Sequence, residues 1–139
     1  MKLLTMIALT IVLIATPTSF SKVKASDFGL LAQTLCDLAK TNDRSKMRKK
    51  LKAAKLRLRS VYTGITCAGD DNFSGGSLLR MATAYGAMES ATFLATKAGR
   101  NAIAFAEHDG KNIIQWTQSI IEEGQADKQV FLDLYQSKS

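Results

Sequence analysis

Residues 77–99 read SLLRMATAYGAMESATFLATKAG. Apolar side chains recur in this stretch at the spacing of an α-helix, first before Gly86 and again before Gly99. Glycine suits the end of a helix because it enters the left-handed region of backbone space without steric cost. The stretch therefore predicts two consecutive helices that are joined by a turn at Gly86.

The same pattern continues towards the C-terminus. Two more apolar segments of helical spacing end at Gly110 and Gly124, so Gly86 and Gly110 lie 24 residues apart, and Gly99 and Gly124 lie 25 apart. This regularity indicates an internal repeat of helical hairpins. We expect a last helix, capped by Asp127, to close the open end of the stack.

The N-terminal half predicts two more helices and then an interruption. Ser26 and Asp27 can cap the first helix, and Asn42 or Asp43 the second. Residues 55–76 lose the helical spacing and gain four glycines, which predicts a loop, a short strand or a hairpin. Within it, residues 70–75 are expected to form a mobile surface loop. The predicted fold is all-α, with stacked antiparallel helical hairpins and a disulfide-anchored loop or short hairpin insertion.

The first 25 residues have the features of a cleavable secretory signal. A charged start precedes the apolar run 3–15, which is too short to span the roughly 30 Å of hydrocarbon in a bilayer. The preferred cut follows 23–25, and 19–21 provides the alternative site. We expect a single domain over residues 26–139 that is periplasmic or secreted and has no transmembrane span.

The chain has two cysteines, Cys36 and Cys67. An even pair in an oxidising compartment is expected to be bridged. Such a bridge would close a loop of about 30 residues and contribute roughly 3–4 kcal/mol of stability. A redox-active pair would favour closely spaced thiols, whereas these lie 31 positions apart. The sequence therefore predicts a structural disulfide.

No set of side chains indicates catalysis or a metal. His108 is the only histidine, and residues 70–74 offer oxygens at a spacing that fits no known calcium loop. Glu122 and Glu123 are adjacent, so they point to different faces of a helix and do not form a carboxylate pair. We expect no enzyme activity, no metal and no cofactor.

The strongest surface feature is the basic N-terminal half. Residues 26–59 hold ten Lys or Arg against three Asp, a local charge of +7, and residues 60–139 hold six against nine acidic residues, a local charge of −3. This basic half can bind an anionic partner, or it can be a solvated face that only keeps the domain soluble. Arg57, Arg59 and Arg80 remain open between pairing with a carboxylate and binding a partner. The candidate partner-binding residues are Arg48, Lys49, Lys52, Lys55, Arg57 and Arg59.

An exported basic domain is not expected to meet nucleic acid in its ordinary surroundings. The leading hypothesis is a non-enzymatic periplasmic interaction module that binds an acidic protein partner in the cell envelope, because stacked helical hairpins build extended surfaces. The alternative is an envelope-surface protein that associates electrostatically with anionic lipid or polysaccharide. The two differ in their dependence on salt.

Two resemblances accompany these patterns. Residues 76–99, with Ser77, Leu79 and Ala82 on matching positions, resemble an ankyrin repeat, although Leu78 and Arg80 replace the usual Pro and His. This resemblance implies that the middle of the fold is ankyrin-like. Segments 35–36, 47–51, 56–67 and 77–82 resemble a family of short exported bacterial proteins known as domain of unknown function 3718. That resemblance implies export and the disulfide, and it implies no activity.

Overall fold

The computed structural model describes residues 25–139. The predicted signal segment, apart from Ala25, lies outside the described residues. Within them the fold is helical and has no strand, which confirms the predicted class. The helices are α1 Ala25–Lys40, α2 Arg44–Ala53, α3 Leu58–Val61, α4 Leu78–Ala84, α5 Met88–Ala98, α6 Arg100–Ala104, α7 Ile113–Glu122 and α8 Gln129–Lys138, with short 3-10 turns at Tyr62–Gly64 and Ala126–Lys128.

The helix ends follow from local sequence chemistry. All four glycines of the predicted repeat have positive φ, from 68° at Gly86 to 117° at Gly124. The helix ends expected at Gly86, Gly99 and Gly124 are confirmed, but the one expected at Gly110 is wrong, because α6 already ends at Ala104 and Gly110 lies in the following loop. Asp43 caps α2, because its Oδ1 accepts the Lys46 amide at 3.0 Å. Asn112 opens α7 with a reciprocal capping box to Gln115.

Two predicted caps are wrong. Helix α1 already begins at Ala25, so Asp27 lies in its first turn instead of capping it. Asp127 lies inside the 3-10 turn Ala126–Lys128, and α8 starts after that turn without a side-chain cap. A capping residue directly precedes the first helical residue, but α1 begins before Asp27 and α8 begins two residues after Asp127.

Helix α4 lies at the centre of the molecule. Residues 78–83 are all buried, and α4 packs against α1, α5 and α7. Helix α5 also contacts α3 and α8, and Tyr135 of α8 shares a buried 2.7 Å hydrogen bond with Thr83 of α4. The α4–α5 pair is therefore the middle of the core, while an ankyrin-like stacking of the hairpins stays a prediction.

The interruption at residues 55–76 forms one short helix and one small hairpin. Residues 58–61 form α3, so a short strand, one of the structures predicted for this segment, is wrong at these residues. Further on, Cys67 and Gly76 exchange backbone hydrogen bonds of 2.6 and 3.1 Å, and Asp70 pairs with Phe73. We call residues 67–76 the hairpin. The Cys36–Cys67 disulfide, with Cα atoms 5.6 Å apart, fastens it to α1 as predicted.

The hairpin packs against the body through Phe73 and Asp70, and the mobility expected for residues 70–75 stays a prediction. Phe73 is 4% exposed and meets the Trp116 ring edge to face at a centroid distance of 6.4 Å. Asp70 accepts hydrogen bonds from the Tyr85 hydroxyl and from Lys40 Nζ. The glycines and aspartates suggested a loop, but the apolar Phe73 anchors it.

Among residues 25–139, no helix has both the length and the apolar character needed to cross a bilayer.

Candidate functional site

Four of the six predicted partner-binding residues meet at one groove between α2, α3 and α5. Its volume is about 590 Å³. We call it the basic groove and define its rim by the five cations Arg48, Lys52, Arg57, Arg59 and Lys97. The hydroxyls of Ser60 and Thr96 also line it, and no carboxylate does. The groove therefore joins part of the basic N-terminal half to α5.

The floor of the basic groove is apolar. Leu51, Leu56, Leu58 and Phe93 form it. Leu51, Leu58 and Phe93 are only 6%, 4% and 8% exposed, so each presents only a small part of its side chain to the groove. A floor of this shape suits an apolar side chain that lies flat, with charged groups around it.

The local sequence explains how the rim is built. Met47 and Leu51 face the core from α2, so Arg48 and Lys52, one residue further along, lie on the exposed side and four residues apart. The chain then turns at Lys55, whose φ is 54°. Arg57 is extended, with φ −92° and ψ 125°, and leads into α3. This turn places Arg57 and Arg59 on the same groove as Arg48 and Lys52 of α2.

The structure places two predicted residues elsewhere. Lys49 and Lys55 are exposed but do not line the basic groove. Lys55 lies beyond the last residue of α2, Ala53, so it does not extend the helical face that carries Arg48 and Lys52. The predicted partner-binding residues that line the groove are thus Arg48 and Lys52 on α2, Arg57 just before α3 and Arg59 in α3.

Sequence reasoning missed Lys97 and Arg44. Lys97 comes four residues after Phe93 on α5, so both lie on one helical face. Arg44 lines an adjoining cavity of about 260 Å³ together with Arg48, Phe93 and Lys97. The i, i+4 spacing of Phe93 and Lys97 could have shown that both lie on one face of α5. The contact between α5 and α2 depends on tertiary packing, which the local pattern does not specify.

The positive charge of the rim is not compensated. Within the described part of the chain, none of the five rim cations forms an ion pair with a carboxylate. The ion pairs there belong to Lys40, Lys46, Arg80 and Lys128. A group of exposed cations without counter-charges favours an anionic occupant.

Arg80 differs from the rim arginines because it is only 1% exposed. Its guanidinium donates two hydrogen bonds of 2.8 and 2.7 Å to Asp109 and a third of 2.9 Å to the Lys111 carbonyl. Its Nε lies 2.8 Å from Glu107 Oε2 at an angle that makes this an ion pair without a hydrogen bond. The Trp116 ring centroid lies 5.2 Å from its Cζ. Arg80 is therefore structural, whereas the Arg57 and Arg59 side chains line the groove.

Glu107 completes what we call the buried cluster, which consists of Ser77, Arg80, Glu107, Asp109 and Trp116. Its carboxylate accepts the Ser77 amide at 2.7 Å and the Ser77 hydroxyl at 2.8 Å. The adjacent Gly76 makes room, since a Cβ there would lie 2.9 Å from Glu107 Oε1. The cluster ties the first turn of α4 to loop 105–112 and, through Trp116, to α7.

Asp109 should give the fold a specific sensitivity to acid. The hydrogen bonds from Arg80 are the main cause that holds the pKa of Asp109 well below its ordinary value of 3.8. Because the folded pKa is the lower one, the stability from the ionised carboxylate is fully present above pH 3.8 and is lost as the pH falls towards the folded pKa. We expect Asp109→Asn to be less stable than the wild type at pH 7, with a gap that narrows below pH 3.8.

Urea unfolding at a series of pH values measures this gap. Asp71→Asn, which removes an exposed carboxylate outside the buried cluster, serves as the matched control and should run parallel to the wild type. A gap for Asp109→Asn that stays constant down to pH 2 would argue against this role of the carboxylate.

The fold and the groove define an all-helical, disulfide-containing domain with an uncompensated basic surface. The chain belongs to the DUF3718 family, a protein family of unknown function, whose model matches residues 35–105. This confirms the predicted family, and the matched segment contains both cysteines and all five rim cations. No curated protein and no solved structure matches the chain.

Proposed function

We propose that this protein is a non-enzymatic, periplasmic or secreted binding module that holds an acidic segment of a protein partner in the basic groove. The observation that carries the proposal is the ring of five cations, without carboxylate partners in the described chain, around an apolar floor. The disulfide supports the compartment, because such bonds persist in oxidising surroundings.

The two parts of the groove would contribute in different ways. Exposed cations steer an acidic partner and add an attraction that weakens with salt, as the Debye length shrinks from ~10 Å at 0.1 M to ~3 Å at 1 M. Burial of an apolar side chain on the floor is much less sensitive to salt, and it contributes roughly 25 cal/mol for each Å² removed from water. A segment that uses both would keep part of its affinity at high salt.

The shape of the floor favours a peptide segment over a lipid. A lipid acyl chain gains most of its binding energy from its length, at about 0.8 kcal/mol for each buried CH₂. The floor offers only four apolar side chains at the surface of the core. One side chain such as Phe or Leu fits that area, and carboxylates beside it would meet the rim.

The test uses a charge reversal on the rim with a matched control. Lys52→Glu/Arg57→Glu should weaken binding of a fluorescent acidic peptide that contains one central Phe by about tenfold or more, the equivalent of ~1.4 kcal/mol. Lys49→Glu/Lys50→Glu makes the same change in net charge on α2 but away from the groove, so its effect should stay within about threefold. Fluorescence anisotropy at 0.1 M and 1 M salt gives the affinities of the wild type and both variants.

Anionic vesicles and an anionic polysaccharide form the competing arms. Binding of the peptide that persists in part at 1 M salt supports the proposal. Binding only to the vesicles or the polysaccharide, lost at 1 M salt, would overturn it in favour of an electrostatic envelope-surface role. Equal losses for the groove variant and its control would overturn the assignment of the groove.

A further inference from the structure

The cavity next to the basic groove carries a second group of cations. Arg59 of α3, Arg100 of α6 and Lys138 of α8 line a space of about 380 Å³, and no carboxylate does. Arg100 and Lys138 are far from the basic N-terminal half in sequence and form no ion pair with a carboxylate in the described residues. We call these three side chains the distal cation site.

Arg59 connects the distal cation site to the basic groove. Arg59 and Thr96 line both cavities, so the two are neighbours along α5. Gly99 leaves room for Arg59, because a Cβ at Gly99 would lie 3.1–3.4 Å from atoms of the guanidinium. The φ of Gly99 is +80°, which also disfavours any other residue there. The guanidinium of Arg59 therefore lies over Gly99 at the boundary between the cavities.

Three helix ends meet at the distal cation site. Helix α5 ends at Ala98, α8 ends at Lys138 and α6 begins at Arg100. The partial negative charge at a helix carboxyl end favours Lys138, whereas the partial positive charge at the start of α6 does not favour Arg100. No carboxylate lines the cavity, so the charge of these cations remains available to a ligand.

We infer that the distal cation site binds a carboxylate of the same acidic segment that occupies the basic groove, which makes the protein selective for the spacing between an apolar anchor and an acid. This rests on the proposed function. Along α5 the rise from Phe93 on the floor to Ala98 at the distal cation site is about 7–8 Å. An extended peptide covers that distance in two to three residues at roughly 3.3 Å each. The preferred segment has its apolar anchor two or three residues from the carboxylate that reaches the distal cation site.

A cycle between protein and peptide variants tests the inference. The first probe is an acidic peptide with Phe as anchor and Asp three residues further on, and the second has Asn in place of that Asp. Arg100→Gln/Lys138→Gln should weaken the Asp peptide by about five- to tenfold, the range for two partly exposed ion pairs, and should weaken the Asn peptide no more than the control variant does. Lys49→Gln/Lys50→Gln removes the same net charge away from both cavities and should affect both peptides equally and weakly.

Each outcome separates the inference from the proposed function. Selective loss of the Asp peptide supports the distal cation site. If both peptides bind the wild type and respond equally to Arg100→Gln/Lys138→Gln, the inference fails while the basic groove stands. If neither peptide binds the wild type, the proposed function fails and the inference fails with it. Circular dichroism of each variant confirms that the helices are intact.

Discussion

Replacing Arg80 with alanine is expected to lower the free energy of unfolding by about 3–5 kcal/mol, the range for breaking a buried ion pair by removing one partner. That is a large share of the ~5–15 kcal/mol by which domains of this size are stable. Urea unfolding followed by circular dichroism at 222 nm gives the value, because every described element of regular structure is helical. The variant should unfold at a clearly lower urea concentration.

The size of the effect follows from what Arg80 leaves behind. Glu107 has a side chain that is 7% exposed, and without Arg80 its carboxylate would be buried with no counter-charge. It would keep only the hydrogen bonds from Ser77. Asp109 is 32% exposed, so water can solvate it and it contributes less to the loss. Most of the expected loss therefore arises at Glu107.

Two controls separate the buried cluster from a general effect of charge. Arg57→Ala removes an exposed arginine and should change stability by less than about 0.5 kcal/mol. Arg80→Lys keeps the charge but loses the planar fork that holds Asp109 by two hydrogen bonds, so it should fall between the wild type and alanine. A loss below about 1 kcal/mol for Arg80→Ala would mean that the cluster contributes little to the fold.

Arg80 also shows where sequence reasoning stops. The helical period correctly assigned the core positions around it, because that signal lies within a few neighbouring residues. The partners of Arg80 lie 27 to 31 residues further along the chain, in loop 105–112. No local pattern specifies that contact, so the sequence alone leaves open whether Arg80 pairs with a carboxylate or binds a partner. Burial of this arginine becomes evident only in three dimensions.

Part of the basic groove was predictable, because four of its cations lie close together in the sequence. Arg48, Lys52, Arg57 and Arg59 lie within twelve consecutive residues, so their shared charge is visible in the sequence. Lys97 joins them from α5, and Arg100 and Lys138 meet Arg59 at the neighbouring cavity, in both cases only through tertiary packing. Leucine and arginine alternate at residues 56–59, which is compatible with the short strand predicted within residues 55–76. The run is short, however, and the turn of helix that forms there buries Leu58 to 4% exposure as well as a strand would.

Removal of the disulfide should give the second large effect. Cys36→Ala/Cys67→Ala is expected to lose about 3–4 kcal/mol, since the bridge closes a loop across 31 positions and restricts the unfolded chain. Alanine is the better replacement, because both positions are buried and serine would place a hydroxyl there. The measurement is again urea unfolding, here with and without a reductant.

The reductant separates the bridge from the packing of the sulfur atoms. If the effect comes from the unfolded chain, full reduction should shift the wild-type unfolding curve close to that of the variant and leave the variant's own curve unchanged. The folded hairpin has further anchors in Phe73 and in the contacts of Asp70 with Tyr85 and Lys40, so both proteins should still be helical in the absence of urea. A loss below about 1 kcal/mol would show that the residual structure of the unfolded chain already holds these segments together. Loss of helix without urea would show instead that the bridge, and not Phe73, positions the hairpin that leads into Ser77 and the start of α4.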